Sequence, residues 1–236
     1  KIDFMDRSDQ WMVNYYERVA REAAKHHLFV DFHGSFKPAG LEYKYPNVLS
    51  YEGVRGMEQM GGCYPDNSLY LPFMRNAVGP MDYTPGTFSD SQHPHITTYA
   101  HELALPVIFE SALQHMPDRP SVYYGLPEQV KQFLSALPTA WDDTKLLAGY
   151  PGTEVVMARR KGDVWYIAGI NGTDEPRVIG VPLENLGLEK SCKVTWFKDG
   201  SDGKSFVTEE SVSLPENGKV VQVTCLPRGG FVAVVK

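Results

Sequence analysis

The stretch VLSYEGVRGMEQMGG, residues 48–62, decides how the first half of the chain is interpreted. Its apolar beginning, Val48–Tyr51, predicts a short buried strand, and the glycines that follow end regular structure where Glu52 and Glu58 appear. Loops held by a rigid scaffold carry many catalytic and binding side chains, so this stretch is a candidate site. The alternative is an ordinary charged surface loop.

Two apolar runs upstream also end in polar residues. Residues 1–5, KIDFM, predict a strand, and Ser8 can then cap a helix. Residues 28–32, LFVDF, predict a second strand that ends at His33. A strand, an amphipathic helix and a strand with short joins form a βα unit, which implies parallel strands. The helix is indicated by apolar side chains at four-residue spacing: Trp11, Tyr15, Val19 and Ala23.

The sequence up to residue 143 continues this alternation. A proline-containing loop is predicted over residues 36–47, a helix interrupted by Pro106 over 96–109, a further strand over 110–116, and a helix over 127–137 with proline at its first position. Repeated strands, polar loops and helices fit the second half of a (β/α)₈ TIM-type barrel, whose functional residues lie at the C-terminal ends of its strands.

The pattern changes after residue 143. Short alternating runs separated by turn residues predict an antiparallel β-sandwich. The expected domains are therefore residues 1–143, the C-terminal half of a barrel, and residues 144–236, a C-terminal β-sandwich. Asn171-Gly172-Thr173 fits a glycosylation sequence, but Asn-Gly is a strong hairpin signal and we favour the turn. The predicted strands cover residues 155–158, 164–168, 177–181, 193–197, 211–214, 220–223 and 230–235.

Composition limits the class of protein and its partners. The 236 residues are 42% hydrophobic and 12% aromatic, enough for a sizeable core and for ring-binding surfaces. The net charge of −6 without a basic block argues against nucleic acid as a partner. No run reaches 18 apolar residues, so no membrane span is predicted. The three cysteines lack metal-binding spacing, and free, buried thiols are expected at Cys63, Cys192 and Cys225.

The chain begins inside a predicted strand. Chains seldom start in this way, so we expect it to be the C-terminal part of a longer protein whose localisation signals lie in the missing part. As it stands, the fragment is expected to be inactive by itself.

Three of the predicted strand ends carry groups that suit glycosidic cleavage. Asp3, His33 and Glu58 lie at or just past three successive strand ends, so they can face one pocket. One carboxyl group can protonate the leaving oxygen while the other attacks the anomeric carbon or activates water. A carboxyl separation of roughly 5–5.5 Å indicates retention, and about 6.5–9.5 Å indicates inversion. Glu52 and Glu58 are hard oxygen ligands that suit calcium, with further ligands required.

Simpler structural roles compete with these interpretations. Asp3 could cap the helix or pair with Arg7, and His33 could be a hydrogen-bonded structural residue. Glu52 could form an ordinary loop ion pair with Arg55. A structural role is also favoured for Asp82, in its own turn.

Four further ionisable residues are weaker candidates for the site. Glu102 lies in a predicted helix and Glu110 near a predicted strand start, so neither is at a strand end. His101 and His115 lack close-set partners in the sequence, so no zinc site is expected at either histidine.

Several longer motifs make the chain resemble a known family. They are KIDFMD, DFHGSFKPAG, YPNVLSYEGVRGMEQ, LPFMRNAVGPMDYTPG and HELALPVIFESALQHMPDRP. These motifs resemble glycoside hydrolase family 97, the calcium-dependent α-glucosidases and α-galactosidases, over about residues 1–140. The sandwich resembles the family's C-terminal domain more loosely. The resemblance implies Glu58 as general acid, calcium binding by Glu52 and Glu58, and a periplasmic or secreted location.

One departure from the family pattern separates its two mechanisms. Inverting α-glucosidases of the family have a glutamate directly after the histidine, where this chain has Gly34. Retaining α-galactosidase-like members use an aspartate where Asp3 stands. The resemblance therefore implies Asp3 as nucleophile and Glu58 as general acid/base, with His33 and Lys37 binding substrate.

The leading hypothesis is a retaining, exo-acting α-galactosidase. Two further hypotheses are a retaining α-glucosidase of the same family, acting on α-glucoside oligosaccharides, and a carbohydrate-binding module that has lost catalysis. A module would bind sugar through the Trp- and Tyr-rich sandwich alone.

Overall fold

The fold is described from a computed structural model that covers residues 1–58, 65–91, 94–188, 191–211 and 220–236. Within these residues, the first half contains six α-helices and two short strands. In chain order these are α1 (Gln10–Lys25), β1 (Val30–Phe32), α2 (Leu41–Lys44), β2 (Val48–Tyr51), α3 (Pro65–Tyr70), α4 (Tyr99–Ile108), α5 (Pro120–Gly125) and α6 (Glu128–Ala136).

The second half is antiparallel β-structure. Its strands are β3 (Asp143–Tyr150), β4 (Glu154–Lys161), β5 (Val164–Asn171), β6 (Arg177–Pro182), β7 (Val194–Asp199), β8 (Phe206–Ser211), β9 (Val220–Cys225) and β10 (Gly230–Val235). Six strands form one sheet in the order β3-β4-β5-β10-β7-β8, and β6 pairs with β9 in a second sheet. The prediction of an antiparallel β-structure in this half is confirmed.

The two sheets enclose an apolar core. Ile167 and Phe231 of the large sheet are fully buried and belong to the same cluster as Ile179 and Val223 of the small one. The opposite face of the large sheet packs against α4, in which nine of the ten residues are buried. A second apolar cluster therefore continues from the first half of the chain into the large sheet. β3 begins at the predicted domain boundary, and the division into domains stays a prediction.

Short parallel segments lie side by side at the start of the chain. β1 pairs with β2 in parallel, and Ile2 forms a parallel bridge to Phe32. The main chain continues this row beyond β2, because Asp82 N donates to Tyr51 O and Met81 N donates to Glu110 O, at 2.9 Å in each case. Segments around residues 2, 30–33, 48–52, 81–82 and 110 therefore follow one another in space as well as in sequence.

The α1 helix packs on this row through a different face from the predicted one. Its buried positions are Met12, Tyr16 and Ala20, whereas Trp11 is 58% exposed. The buried stripe of the helix is therefore shifted by one residue from the predicted one. Aromatic side chains lie on both faces of the helix, and the exposed Trp11 ring stacks on Tyr15 with 5.9 Å between the ring centres. The N-cap is Asp9, which accepts from the amides of the first turn, rather than Ser8.

Several other predicted elements need correction. The predicted strand over residues 1–5 is reduced to the Ile2 bridge, and Phe4 and Asp6 have positive φ angles of 57° and 40°. The predicted loop 36–47 contains α2, residues 110–116 form no strand, and Pro127 precedes α6 as its N-cap. Helices α3 and α5 and strands β3 and β8 were not predicted. Most of the predicted strand 211–214 lies outside the described residues.

The helix predicted over residues 96–109 is found as α4, but it continues through Pro106 without the predicted interruption. Cys192 and Cys225 are free and buried, while Cys63 lies outside the described residues. Asn171 is fully buried, and its side chain bonds the main chain of Glu175, Leu226 and Thr173. The chain leaves β5 at this residue, but the hairpin that Asn-Gly signals does not form, because β6 pairs with β9 in the other sheet. None of the helices within the described residues is both long and apolar enough to cross a bilayer.

Candidate active site

In the row of parallel segments, a buried aromatic residue at the end of a strand is followed directly by a polar residue. Phe32 and Tyr51 are buried under α1, with their rings 5.6 Å apart, and His33 and Glu52 follow them directly. Glu52 N donates to Phe32 O at 2.8 Å, and His33 N donates to Ile2 O at 2.7 Å, so these residues lie at one edge of the sheet. His33 and Glu52 thus directly follow β1 and β2, whereas their roles stay a prediction.

His33, Glu52 and Glu58 form one cluster. His33 Nε2 lies 2.8 Å from Glu58 Oε2 and 3.3 Å from Glu52 Oε1. His33 and Glu52 are buried, whereas the Glu58 side chain is 55% exposed and reaches the cluster from the side of the solvent. The exposed carboxylate is therefore the one that can meet a ligand directly.

The loop geometry holds Glu52 and Glu58 in place. Glu52 Oε2 accepts from Gly34 N at 2.7 Å, and Glu58 N donates to Thr84 Oγ1 at 3.1 Å. Arg75, which is 7% exposed, donates to five main-chain carbonyls, among them those of Tyr51 and Glu52. Burial lowers the pKa of Arg75 to about 10, which leaves it charged at neutral pH. This guanidinium fixes the backbone that presents Glu52.

Gly34 is required by the same geometry. Its φ angle is +57°, and a Cβ atom at this position would lie 2.9 Å from Phe4 N. A larger residue would therefore have to displace the segment that carries Asp3, as well as adopt a left-handed backbone.

A second layer of ionisable groups, Asp31, Asp82 and His115, lies beneath the cluster. Asp82 is fully buried and accepts from His115 Nδ1 at 2.6 Å and from His115 N at 2.9 Å. His33 Nδ1 lies 3.3 Å from Asp82 Oδ2. The sequence interpretation of Asp82 as support for its own turn is wrong: it contacts a histidine 33 residues away. His115 also has close partners, contrary to expectation, because Asp31 Oδ2 lies 3.6 Å from its Nδ1.

Burial and neighbouring charges shift the pKa values of His33, Asp82 and Asp31. Burial works against the charged form of His33, but the carboxylates of Asp82, Glu58 and Glu52 outweigh it and raise its pKa to about 9. Burial would raise the pKa of Asp82, but the hydrogen bonds from His115 and the contact with His33 hold it below its usual range. Burial, and then the charge of Asp82, raise the pKa of Asp31 to about 7. At neutral pH the layer therefore contains a charged Asp82 beneath a charged His33.

Asp3 and Lys37 lie outside the close cluster. Asp3 follows Ile2 at the same edge of the sheet, is partly buried, and its Oδ1 accepts from Phe4 N at 2.7 Å. Arg7 pairs with Asp9 rather than with Asp3. Lys37 is exposed. Three residues near Asp3 or Glu58 have positive φ without being glycine, namely Phe4, Asp6 and Thr84. Such strain is often found at functional sites.

A cavity of about 320 Å³ opens beside Glu58. Its wall includes Glu58, Thr84, His115, Met116 and Asp118. Asp118 accepts from Phe88 N and Ser89 Oγ, both at 2.5 Å, and so fixes part of the wall. A monosaccharide-sized ligand can reach the exposed carboxylate of Glu58 through this opening.

The carboxylates of the cluster are suited to a hard cation. One ligand atom from each of His33, Glu52 and Glu58 lies within 4.8 Å of the others, and the same holds for Asp31, Asp82 and His115. Glu52 and Glu58 offer up to four oxygens, fewer than the six to eight that calcium takes. The two glutamates therefore fit part of a calcium shell, and the remaining oxygens must come from elsewhere.

The chain is similar to known glycoside hydrolases along its whole length. The family model described as glycoside hydrolase 97 matches residues 1–54, and the model of the glycosyl-hydrolase 97 C-terminal, oligomerisation region matches residues 140–236. A retaining alpha-galactosidase from Bacteroides thetaiotaomicron is 42% identical over 256 residues. The match covers 100% of this chain and 38% of that protein.

Solved structures show the same likeness. A beta-arabinopyranosidase superposes with a TM-score of 0.86 at 31% identity, covering 98% of this chain and 38% of the other. A glycoside hydrolase family 97 enzyme from Pseudoalteromonas sp. strain K8, in complex with acarbose, gives a TM-score of 0.84 at 30% identity. That match covers 96% of this chain and 37% of the other. The chain thus spans less than half the length of each of these relatives.

Proposed function

The chain belongs to glycoside hydrolase family 97, and from this membership we propose that the whole protein is a retaining, exo-acting α-galactosidase. The observation that carries the proposal is the contact between exposed Glu58 and buried His33 at the mouth of a sugar-sized cavity. The retaining alpha-galactosidase from Bacteroides thetaiotaomicron, at 42% identity, supports the same activity. Because the chain spans 38% of that relative, the activity is proposed for the whole protein.

The row of parallel segments supports a barrel as the scaffold of this reaction. Five consecutive segments, from Ile2 to Glu110, lie side by side, and Asp3, His33 and Glu52 directly follow three of them. We propose that they form the second half of a (β/α)₈ barrel. In that arrangement Asp3 and Glu58 approach one glycosidic bond from its two sides.

The proposed reaction is a double displacement. The Asp3 carboxylate attacks the anomeric carbon while Glu58 donates a proton to the leaving oxygen, which gives a glycosyl ester on Asp3. Glu58 then takes a proton from water, the water oxygen attacks the same carbon, and Asp3 leaves as a carboxylate. Two inversions retain the α configuration. His33 is proposed to hold Glu58 and to contact the substrate, and Lys37, exposed beside the site, is a further substrate-binding candidate.

Calcium is proposed as the cofactor, held in part by Glu52 and Glu58. When bound, the cation would orient the Glu58 carboxyl group and add positive charge beside it. We expect chelation by EGTA to lower activity and added calcium to restore it. Activity that is unchanged by prolonged chelation, with no calcium detected in the protein, would contradict this role.

The substrate can be tested with chromogenic glycosides. The whole protein should release nitrophenol from nitrophenyl α-galactoside faster than from the α-glucoside, and NMR should show α-galactose as the first-formed sugar. The second candidate, an α-glucosidase, is favoured by the acarbose complex of the Pseudoalteromonas enzyme and predicts the opposite preference. First-formed β-sugar would contradict retention for either substrate.

A further inference from the structure

We propose that His115 binds a hydroxyl group of the sugar through its Nε2 atom, and that buried Asp82 positions it for this contact. The inference rests on the proposed glycosidase function and adds a substrate-binding residue to it. His115 lies in the segment 110–116, which was predicted as a strand, and the sequence marked it only as a weaker candidate for the site.

Asp82 fixes both the position and the tautomer of His115. Its carboxylate is 0% exposed and receives two hydrogen bonds from the same residue, one from Nδ1 at 2.6 Å and one from the main-chain N at 2.9 Å. Because a carboxylate only accepts, Nδ1 must carry a proton. The ring is therefore held from behind, and its Nδ1 is not available to a ligand.

The His115 ring also borders the cavity. The His115 side chain is 34% exposed and forms part of the wall of the cavity that also contains Glu58. Nε2 has no hydrogen-bond partner among the residues described in the structure. A histidine that served only the fold would be expected to use both nitrogens or to be buried. Here one nitrogen is anchored to the interior and the other is left for the cavity.

The chemistry of the cavity indicates which ligand group Nε2 meets. The cavity holds the proposed acid/base carboxylate, so the sugar that undergoes cleavage must lie against its wall. Hexoses present hydroxyl groups all around the ring, and a neutral imidazole Nε2 accepts from a hydroxyl while a protonated one donates to it. A fixed ring makes such a bond without a large loss of side-chain entropy.

Two variants of His115 separate the roles of its nitrogens. His115→Asn keeps a donor at the position of Nδ1, facing Asp82, and removes the cavity-facing nitrogen. His115→Gln places an amide near the position of Nε2. His26→Asn is the matched control, because His26 is 67% exposed at the end of α1 and pairs only with Glu22 among the described residues.

The test measures kcat/KM of the whole protein on nitrophenyl α-galactoside and on its 2-, 3-, 4- and 6-deoxy analogues. For the parent substrate, we expect H115N to lower kcat/KM by roughly 10- to 100-fold, the range for one lost hydrogen bond, and H115Q to lower it less. For the single analogue that lacks the bound hydroxyl, the H115N penalty should largely disappear. H26N should behave like the wild type.

The outcomes distinguish this inference from the function on which it rests. An active wild type with an H115N penalty that is equal for the parent and all analogues, or with no penalty, overturns the role of His115 alone. A folded wild type that cleaves neither α-galactosides nor α-glucosides overturns the proposed function and this inference together. A penalty confined to substrates that carry one particular hydroxyl supports it.

Discussion

At the residue scale, Asp3 carries the strongest chemical prediction. Asp3→Ala in the whole protein should lower kcat by roughly 1,000-fold or more, because no carboxylate remains to attack the anomeric carbon. Azide is small enough to take the place of the missing carboxylate. It should restore turnover and give β-galactosyl azide, with inverted configuration, which NMR identifies.

The control for Asp3 is its neighbour Asp6. Asp6 is exposed, and asparagine tolerates its positive φ of 40°, so Asp6→Asn should retain near-normal kcat. Near-normal rates for Asp3→Ala, measured under the same conditions, would show that another group is the nucleophile.

Gly34 allows a comparison between two glycines with the same backbone conformation. Gly34 and Gly162 both have φ of +57°, but a Cβ atom at Gly34 would meet the Phe4 main chain at 2.9 Å and one at Gly162 would meet nothing within 4 Å. Gly162→Ala should therefore cost about 1 kcal/mol in the free energy of unfolding, and Gly34→Ala clearly more. Urea unfolding measures both. Equal losses would mean that the Gly34 segment moves freely.

Glu102 is predicted to make stability depend on pH. It is fully buried, and burial raises its pKa to about 7 from 4.5, although Thr97 Oγ1 and two amides donate to it. The folded state therefore holds this proton more tightly than the unfolded state. The Glu102 contribution to the free energy of unfolding should fall by about 3 kcal/mol as pH rises from below 4.5 to above 7.

The Glu102→Gln variant tests this dependence. The amide of glutamine is neutral at every pH, and its oxygen can still accept from Gly86 N and Thr87 N. The free energy of unfolding of the variant should therefore not show the decrease with pH that is attributed to Glu102. Urea unfolding at pH 5 and pH 8 gives the comparison. A wild type and a variant that change in parallel would exclude a raised pKa for Glu102.

At the element scale, Arg159 joins α4 to the large sheet. Arg159 lies on β4, is 4% exposed, and donates to Val107 O, Ile108 O and Glu110 Oε2. A helix end leaves its last carbonyls unpaired, and a buried guanidinium satisfies them here. Arg159→Met should lower the free energy of unfolding by about 3 kcal/mol or more, because these acceptors lose their donor.

The neighbouring Arg160 provides the control for this element. Its guanidinium donates to Gly162 O at the surface, so Arg160→Met should change stability by about 0.5 kcal/mol or less in the same urea titration. A similar small effect for Arg159→Met would show that α4 does not depend on this contact.

Local patterns predicted some elements well and others poorly. β2 was predicted with its correct bounds, because a compact apolar run is followed by glycine. β3 was not predicted, since it is an edge strand with half-exposed or exposed residues throughout and no apolar alternation. The stripe of α1 was misplaced because Trp11 lies on its exposed face. The sequence shows which positions of the helix are apolar, but it does not show which of two apolar stripes packs against the core.

The candidate site was predictable only in part for a related reason. His33 and Glu52 follow buried strands directly, and this local signal locates them. Asp82 and His115 could not be placed by it, because their contact joins residues 33 apart in sequence through a segment without regular strand structure. Only the three-dimensional fold brings these two layers together.

At the scale of the whole molecule, the first half of the chain packs on one face of the large sheet, and the small sheet packs on its other face. The row carries Asp3, His33 and Glu52 at one edge, and the apolar cluster that contains α4 continues into the large sheet. We propose that this edge places Asp3 and Glu58 on opposite sides of one sugar bond.

Mass spectrometry of a trapped glycosyl-enzyme intermediate shows whether Asp3 is the attacking group. The whole protein is incubated with a fluorinated, activated α-galactoside that slows hydrolysis of the glycosyl ester, and the labelled peptide is sequenced. We expect one fluorosugar per protein, attached to Asp3, with labelling that Glu58→Gln slows for poor leaving groups. A label on a different residue, or steady turnover without any covalent adduct and with β-galactose as the first product, would contradict it.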